Sequence, residues 1–282
     1  MLTHLSKQWK TELTDLVRGA SGGFLLGIPL LYTMEVWWIG SYISPFRMLF
    51  ALVLTFLIVL LLNQTSGFRH GKDISAIDAV KDTIEALAIG LVCSGATLVL
   101  LREIRFDAPL IEVVGKLIYE SVPFTFGVAL ANQFLGKDQS RSGDDSPARQ
   151  GNATLSDISA TLIGALVIAF NIAPTDEIPM LASAVTGGWL LAMIAASLLV
   201  SYCIVFAAGF TNQSQRYQHK GVFQRPWGET IAAYLVSLFA AMLMLVFFQK
   251  LQFDDPWQLW LRCTVLLGLP AAVGGAAGRL AA

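Results

Sequence analysis

The chain alternates long apolar stretches with short polar ones, a pattern typical of helices that cross a membrane. A helix needs ~20 apolar residues to span the hydrocarbon core of a bilayer. Such stretches lie at about 19–41, 46–64, 79–101, 110–135, 158–182, 186–209, 229–249 and 257–280. Composition agrees, because only 14% of the residues are charged, against roughly a quarter in soluble domains. We therefore predict an all-α transmembrane fold of eight helices in contact with the lipid bilayer.

Two polar regions flank and divide the predicted spans. Residues 1–17 carry apolar side chains at helical spacing opposite charged ones, which predicts an amphipathic helix on the membrane surface. The apolar set is Leu2, Leu5, Trp9, Leu13 and Leu16, and the charged set is Lys7, Lys10 and Glu12. Residues 137–153 are rich in Ser, Gly, Asp and Arg, which predicts a polar cytoplasmic linker. Two transmembrane halves remain, 18–136 and 154–282.

The two halves repeat one another in sequence. Residues 142 positions apart match in three places: Leu13–Leu16 with Leu155–Ile158, Thr33–Glu35 with Thr175–Glu177, and Gly67–Phe68 with Gly209–Phe210. Later matches are 147 positions apart: Thr83–Ile84 with Thr230–Ile231, Phe106–Pro109 with Phe253–Pro256, and Pro123 and Gly127 with Pro270 and Gly274. Four spans return the chain to its starting side. We therefore predict two four-helix repeats in parallel orientation, related by a pseudo-twofold axis along the membrane normal.

Charge placement predicts the orientation in the membrane. With the N-terminus inside, 13 of the 19 Lys and Arg residues fall in cytoplasmic segments. Cytoplasmic segments of membrane proteins carry such an excess, and indole rings concentrate at the interfaces. Trp37 and Trp38 then fall at the outer interface. We predict a multi-pass protein of the cytoplasmic (inner) cell membrane with both termini in the cytoplasm.

One polar stretch interrupts the fifth span, with the sequence Asn171-Ile172-Ala173-Pro174-Thr175-Asp176-Glu177-Ile178-Pro179-Met180. Proline removes a backbone donor and clashes with the preceding turn, so Pro174 and Pro179 predict a helix break. Pro29 is the candidate break in the first span. Carboxylates at membrane depth are costly and usually face protein or water where a function needs them.

The repeat relates Glu35 to the Asp176–Glu177 pair across the predicted axis. Each glutamate lies about 20 residues from the inner end of its span, roughly 30 Å along a helix and near the outer edge of the hydrocarbon. Three carboxylates there predict a cation site at an outer mouth, and Ca²⁺ is the preferred ion because clustered carboxylates favour divalent cations. The predicted site and pathway residues are Thr33, Glu35, Asn171, Thr175, Asp176 and Glu177, with Glu35, Asp176 and Glu177 as metal ligands.

A simpler interpretation of the same residues stays open. Thr175 could be a helix N-cap, with Asp176 and Glu177 in the first turn of a short helix, where negative charge suits the helix dipole. Glu35 could reach into headgroup water.

Glu120 is a deeper candidate. It lies near the middle of the fourth span, three residues before Pro123, and its repeat counterpart is Leu267. An unpaired glutamate at that depth should hold a proton or bind a cation. The alternatives are a satisfied hydrogen bond between helices, or a span boundary that is misplaced by one turn.

Other functional classes find little support. The net charge of −1 and the absence of a basic block argue against a nucleic-acid partner. No nucleophile–base pair, set of His and Cys ligands or cofactor motif is visible, so we predict that the chain is not an enzyme and binds no cofactor beyond a cation. Small residues in the last span, such as Gly274 and Gly278, favour tight packing within the chain. A homo-oligomer contact is the alternative.

The duplicated layout, with its Ala173-Pro174-Thr175-Asp176-Glu177 stretch, resembles an uncharacterised family of bacterial polytopic integral membrane proteins. The resemblance covers nearly the whole chain and implies no particular activity. A weaker similarity is to cation/Ca²⁺ exchangers, whose duplicated segments place a glutamate at a helix break. The halves here are predicted to be parallel, not inverted, and the Gly-Asn opening of the exchanger motif is missing, so that similarity is an analogy.

These patterns favour a cation channel or transporter that captures its ion at Glu35, Asp176 and Glu177 and passes it to Glu120. Two other functions remain open. A carrier for a small organic solute predicts uptake that ignores these carboxylates. A non-transporting scaffold or accessory subunit predicts no flux at all.

Overall fold

The computed structural model describes residues 2–66, 76–105, 107–135, 153–207 and 226–281. Within these ranges the chain forms ten α-helices, and no β-strand is present. The all-α prediction is confirmed for this part of the chain. The predicted linker 137–153 lies outside it, except for the last residue.

The chain divides into two compact units, each with five of the helices. Unit 1 contains α1 (Leu2–Leu31), α2 (Met34–Tyr42), α3 (Pro45–Ser66), α4 (Ala76–Leu100) and α5 (Leu110–Leu135). Unit 2 contains α6 (Ala153–Ile172), α7 (Glu177–Ala184), α8 (Gly187–Tyr202), α9 (Pro226–Phe247) and α10 (Trp257–Ala281). A π-helical turn, Cys203–Ala207, follows α8.

Each unit begins with two helices where the sequence predicts one span. α1 and α2 meet at 88°, and α6 and α7 meet at 89°. The first bend falls at Tyr32–Thr33, whereas Pro29, the predicted break, lies inside α1. A helix can continue past a proline at the cost of a kink. Pro174 does lie in the second bend, and Pro179 is the third residue of α7, where an N–H has no acceptor within the helix.

The predicted surface helix 1–17 is part of a longer element. α1 is continuous from Leu2 to Leu31, so no break separates the amphipathic segment from the first span. Within that segment the exposed side chains include Trp9 at 75% and Leu13 at 62%.

One helix lies at the centre of each unit. α5 contacts α1, α2, α3 and α4, and α10 contacts α6, α7, α8 and α9. Glycine permits the closest approaches. A Cβ on Gly22 or Gly127 would overlap the opposing backbone where α1 crosses α5, and the same holds for Gly164 and Gly274 where α6 crosses α10. These glycines therefore serve packing within each unit, as favoured for Gly274 by the sequence.

The two units share local details at repeat-related positions. Gly22 and Gly164 are 142 positions apart, and Gly127 and Gly274 are 147 apart. The helix order and the bend angles also agree. This agreement supports an internal duplication, while the eight-span arrangement and its pseudo-twofold axis stay predictions.

The helices α4 and α9 end in the same way. Arg102 (φ 62°) and Gln249 (φ 57°) adopt the left-handed conformation. The N–H of the next residue donates to a carbonyl five positions earlier, from Glu103 to Leu98 at 2.9 Å and from Lys250 to Leu245 at 2.8 Å. Each helix end is therefore a Schellman motif, which satisfies carbonyls that would otherwise lack a donor.

Replacing Gln249 by glycine should raise the free energy of unfolding by about 0.5–1 kcal/mol, because a Cβ disfavours the left-handed conformation. The Gln249 side chain is exposed, so its loss should remove little packing. Thermal unfolding of the purified protein in detergent would measure the change. Gln258→Gly, at an exposed position in the first turn of α10, is the control and should lower stability, by less than the cost of about 0.5–1 kcal/mol that glycine has in the middle of a helix. Equal losses at both positions would contradict the prediction.

The helices are long and apolar enough for several membrane crossings. Six qualify singly by length and composition, namely α3, α4, α5, α8 with its π-helical turn, α9 and α10. The number becomes eight if each bent pair forms one further span. The chain is therefore a multi-pass integral membrane protein.

Candidate functional site

Glu120 lies at the middle of the Leu110–Ala131 span of α5. Its side chain is 0% exposed, and neither carboxylate oxygen has a hydrogen-bond partner among the residues that the structure describes. A buried polar group without a partner costs free energy, and an unpaired charge costs far more. The carboxyl group is therefore expected to be neutral or to bind a cation.

The packing of α5 places Glu120 beside the α1–α2 bend. Lys116, Glu120 and Phe124 are spaced four residues apart and share one face of α5. Gly27, before the bend, packs on the Phe124 ring, while Gly40, after the bend, packs on the Lys116 backbone. Glu120 lies between these two contacts and hence faces the corner of the bent pair.

The bend itself is closed by hydrogen bonds from two side chains. The Thr33 hydroxyl and the Thr33 N–H both donate to the Leu30 carbonyl. The Trp37 indole N–H donates to the Leu31 carbonyl at 2.8 Å. Trp37 is 1% exposed, so its indole ring is buried within unit 1 and holds the bend, while its place at the outer interface stays a prediction. Thr33 is thus a structural part of the bend, whatever else it contributes.

Three more charged residues lie at the end of unit 1 that carries the α1–α2 bend and the α4–α5 connection, here called the bend end. The Lys116 Nζ is 3.0 Å from Glu112 Oε1 and 3.6 Å from Glu103 Oε2. It also donates to the Glu103 backbone carbonyl at 3.2 Å. The exposure of these side chains falls from 31% at Glu112 to 19% at Glu103 and 10% at Lys116. Together with Glu120 they form a row of ionisable side chains that runs from solvent into the unit.

Glu103 belongs to the connection between α4 and α5. Burial raises the pKa of its carboxyl group, and the neighbouring Lys116 ammonium opposes that rise. Glu112 adds a further, smaller increase to the pKa. Burial thus favours the protonated form of Glu103, whereas the neighbouring Lys116 ammonium favours the ionised form.

The other predicted site residues are mostly engaged locally or exposed. Glu35, in the first turn of α2, is exposed. Asp176 is the N-cap of α7 without a side-chain capping bond, and its side chain is 83% exposed and pairs with the Lys250 ammonium at 2.6 Å. Glu177 is 5% exposed.

The polar residues around the second bend bond to nearby carbonyls. The Asn171 amide donates to Val167 at 2.7 Å, and the Thr175 hydroxyl donates to Ile172 at 2.6 Å. The open interpretation of Thr175 as an N-cap is wrong by one residue, because Asp176 occupies that position. Both side chains therefore bond to the last turn of α6, and their role in a cation site stays a prediction.

A metal centre finds no support in the described part of the chain. Within it, no group of three or more His, Cys, Asp or Glu side chains could hold a metal ion. The placement of Glu35 relative to Asp176 and Glu177 depends on how the two units are arranged, so their joint role stays a prediction.

An ion pair that was not predicted from the sequence lies at the end of unit 2 opposite the α6–α7 bend. Arg279 of α10 pairs with Glu229 of α9, is 1% exposed, and has its guanidinium carbon 5.7 Å from the Phe206 ring centroid. Asp157 and Thr161 also line the cavity of about 40 Å³ at this pair, enough space for a water molecule. The sequence did contain a sign of this site, because Asp157 and Glu229 occupy the same repeat positions as acidic residues of the first half.

The repeat-related Asp82 is also buried, at 6% exposed. The sequence favours a solvated carboxylate at the start of a helix for both Asp82 and Glu229, and burial contradicts this for Asp82. α4 begins at Ala76, so Asp82 lies in the second turn of the helix and not at its start.

The described part of the chain has the features of a polytopic α-helical membrane protein. It contains ten helices, two sharp bends and a carboxylate buried at the middle of a span. The chain belongs to the family described as "Putative integral membrane protein (DUF2391)", whose model matches residues 15–282. No curated protein and no solved structure matches the chain. Family membership agrees with the predicted membrane family, while the bacterial origin and the Ala-Pro-Thr-Asp-Glu stretch as a family motif stay predictions.

Proposed function

We propose that the chain is a membrane carrier for protons or monovalent cations, with Glu120 as the binding carboxylate. The observation that carries the proposal is a glutamate at the middle of a membrane span, fully buried, with both oxygens unpartnered. Acidic residues at such positions are rare and typically mark ion pathways and proton relays.

The burial of Glu120 favours a carrier over an open channel. A channel needs a water-filled path to its binding groups, whereas this side chain is 0% exposed. A carrier instead exposes its site by a conformational change, and discontinuous helices with irregular backbone beside the site are common in carriers. The 88° bend of α1 and α2 beside Glu120 is such a discontinuity.

The choice of ion follows from the number of ligands. Ca²⁺ takes 6–8 oxygen ligands, commonly from several carboxylates, and the described residues hold no group of three or more acidic, His or Cys side chains suited to a metal. A single carboxyl group suits a proton or a monovalent cation. Ca²⁺, which the sequence favoured, is the less supported choice, and no cofactor or catalytic activity is proposed.

Ion flux into liposomes that contain the purified protein tests the proposal. Na⁺, K⁺ and Ca²⁺ gradients would be imposed in turn, with a pH-sensitive dye inside the vesicles to report proton movement. The proposal predicts Na⁺- or K⁺-dependent flux, or proton movement coupled to it. Ca²⁺ flux alone would favour the outer-mouth site, and no flux would favour the small-solute carrier or the non-transporting scaffold.

Glu35→Gln and Asp176→Asn should each leave the flux within about twofold of the wild type. Glu35 is exposed, and the Asp176 side chain is 83% exposed beside Lys250, so neither is a desolvated binding group. Exposed ion pairs also contribute little to stability, so folding should be unchanged. The same liposome assay measures the effect. Loss of flux in either variant would instead support the predicted cation site at the outer mouth.

A further inference from the structure

Lys116 has a carboxylate one helical turn away on each side. Glu112 precedes it by four residues and Glu120 follows it by four, and side chains at this spacing are neighbours on a helix. The Lys116 Nζ is 3.0 Å from Glu112 Oε1, while Glu120 has no partner. The same flexible four-carbon side chain has the length to reach either carboxylate.

The two carboxylates differ in whether water can replace the ammonium group as their partner. Glu112 is 31% exposed and can be solvated by water when Lys116 leaves. Glu120 is fully buried and has no such substitute. An ion pair gains most where water is excluded, so an ionised Glu120 would attract the ammonium group more strongly than Glu112 does.

We propose that Lys116 is a tethered counter-cation that alternates between Glu112 and Glu120. When Glu120 holds a proton or a transported cation, Lys116 stays at the bend end, as in this structure. When Glu120 is empty and ionised, Lys116 turns inward and neutralises it. The inference rests on the proposed function and gives Lys116 the role of a positioning residue that competes with the transported cation.

Glu103 balances the charge at the bend end during this movement. The Lys116 ammonium holds down a pKa that burial raises, so its departure lets the Glu103 pKa rise further and favours proton uptake there. Beside Gly115 and Lys116, α2 presents Gly40 and α3 presents Met48. Arg105 and Asp107, nearby in the connection, pair with each other at 2.9 Å.

Carbodiimide labelling tests the movement without any transported ion. Dicyclohexylcarbodiimide reacts with protonated carboxyl groups in apolar surroundings, and peptide mass spectrometry separates Glu120 from Glu103 and Glu112. Lys116→Met should raise the labelling rate of Glu120 by at least about threefold, because the carboxyl loses the partner that ionises it. Lys116→Arg keeps the charge and should stay near the wild-type rate.

Glu112→Gln supplies the opposite shift. Without its outward partner, Lys116 should spend more time at Glu120 and lower the labelling rate by about threefold. A purely structural role for Lys116 would not move the two variants in opposite directions. Because Glu112 is partly exposed, this variant also keeps the test valid if Lys116→Met fails to fold.

Labelling rates and liposome flux separate the inference from the proposed function. Opposite shifts in Lys116→Met and Glu112→Gln support the moving lysine, even if no cation flux is found, in which case only the proposed function fails. Equal labelling in the wild type and Glu112→Gln overturns the inference, whatever the flux. If flux is found, Lys116→Met should lower the cation KM by about threefold or more, since the competitor is gone.

Discussion

Glu120→Gln should reduce cation-dependent flux into liposomes by about 100-fold or more, the scale on which loss of an essential proton-carrying group acts. Glutamine has nearly the same shape and cannot ionise, so it can neither release a proton nor neutralise a cation. The Glu120 oxygens make no hydrogen bond within the described part of the chain. The substitution therefore removes no existing contact, and the thermal midpoint in detergent should be unchanged or higher.

Glu85→Gln is the matched control for that experiment. Glu85 belongs to α4 of the same unit and is only partly buried, so its neutralisation should leave most of the flux. A Glu120→Gln protein that folds normally and transports at the wild-type rate would remove Glu120 from the pathway. Wild-type flux in both variants would instead favour a pathway through Glu35, Asp176 and Glu177.

Gly127→Leu should lower the free energy of unfolding by about 3 kcal/mol, which corresponds to a fall of roughly 10 °C in the thermal midpoint of a protein of this size. A Cβ at Gly127 would overlap the Gly22 carbonyl oxygen on α1. Backbone cannot move aside as a flexible side chain can, so the two helices must separate. Because α5 contacts all four other helices of unit 1, the separation should loosen the whole unit.

Gly188→Leu is the control for this substitution. Gly188 is also helical, but a Cβ there would meet nothing within 4 Å, so stability should change by no more than about 0.5 kcal/mol. Gly274→Leu, at the corresponding crossing of unit 2, should resemble Gly127→Leu. Thermal unfolding in detergent measures all three variants, and a stable Gly127→Leu protein would show that the crossing is not tightly packed.

The helical architecture was predictable because its causes are local in sequence. Apolar runs long enough to span a bilayer, and matches at fixed separations, need no knowledge of tertiary contacts. The burial of Glu120 was also predictable, since it lies at the centre of such a run. The two units also share backbone details at repeat positions where the residues differ, such as the left-handed conformation of Arg102 and Gln249.

The position of the first bend and the buried charges were not predictable in the same way, whereas Pro174 does lie in the second bend. Pro29 suggested a break, but the actual bend depends on Thr33 and Trp37, whose side chains bond to carbonyls at the end of α1. In the sequence, Lys116 and Arg279 are single basic residues near the ends of predicted spans, with no sign that their side chains would be buried. Their burial depends on partners that the fold brings together, for example Glu103, which is 13 residues from Lys116.

The sharp turn between α6 and α7 also bears on the membrane around unit 2. α6 has 20 residues, from Ala153 to Ile172, and covers roughly 30 Å before the chain turns aside. The hydrocarbon core of a typical bilayer is about as thick, so an α6 along the membrane normal is just long enough to cross it. In a bilayer of longer acyl chains the helix would be too short, and the lipid beside it would have to thin. Lipid chain length then becomes a means of changing the energy of unit 2 while leaving the sequence untouched.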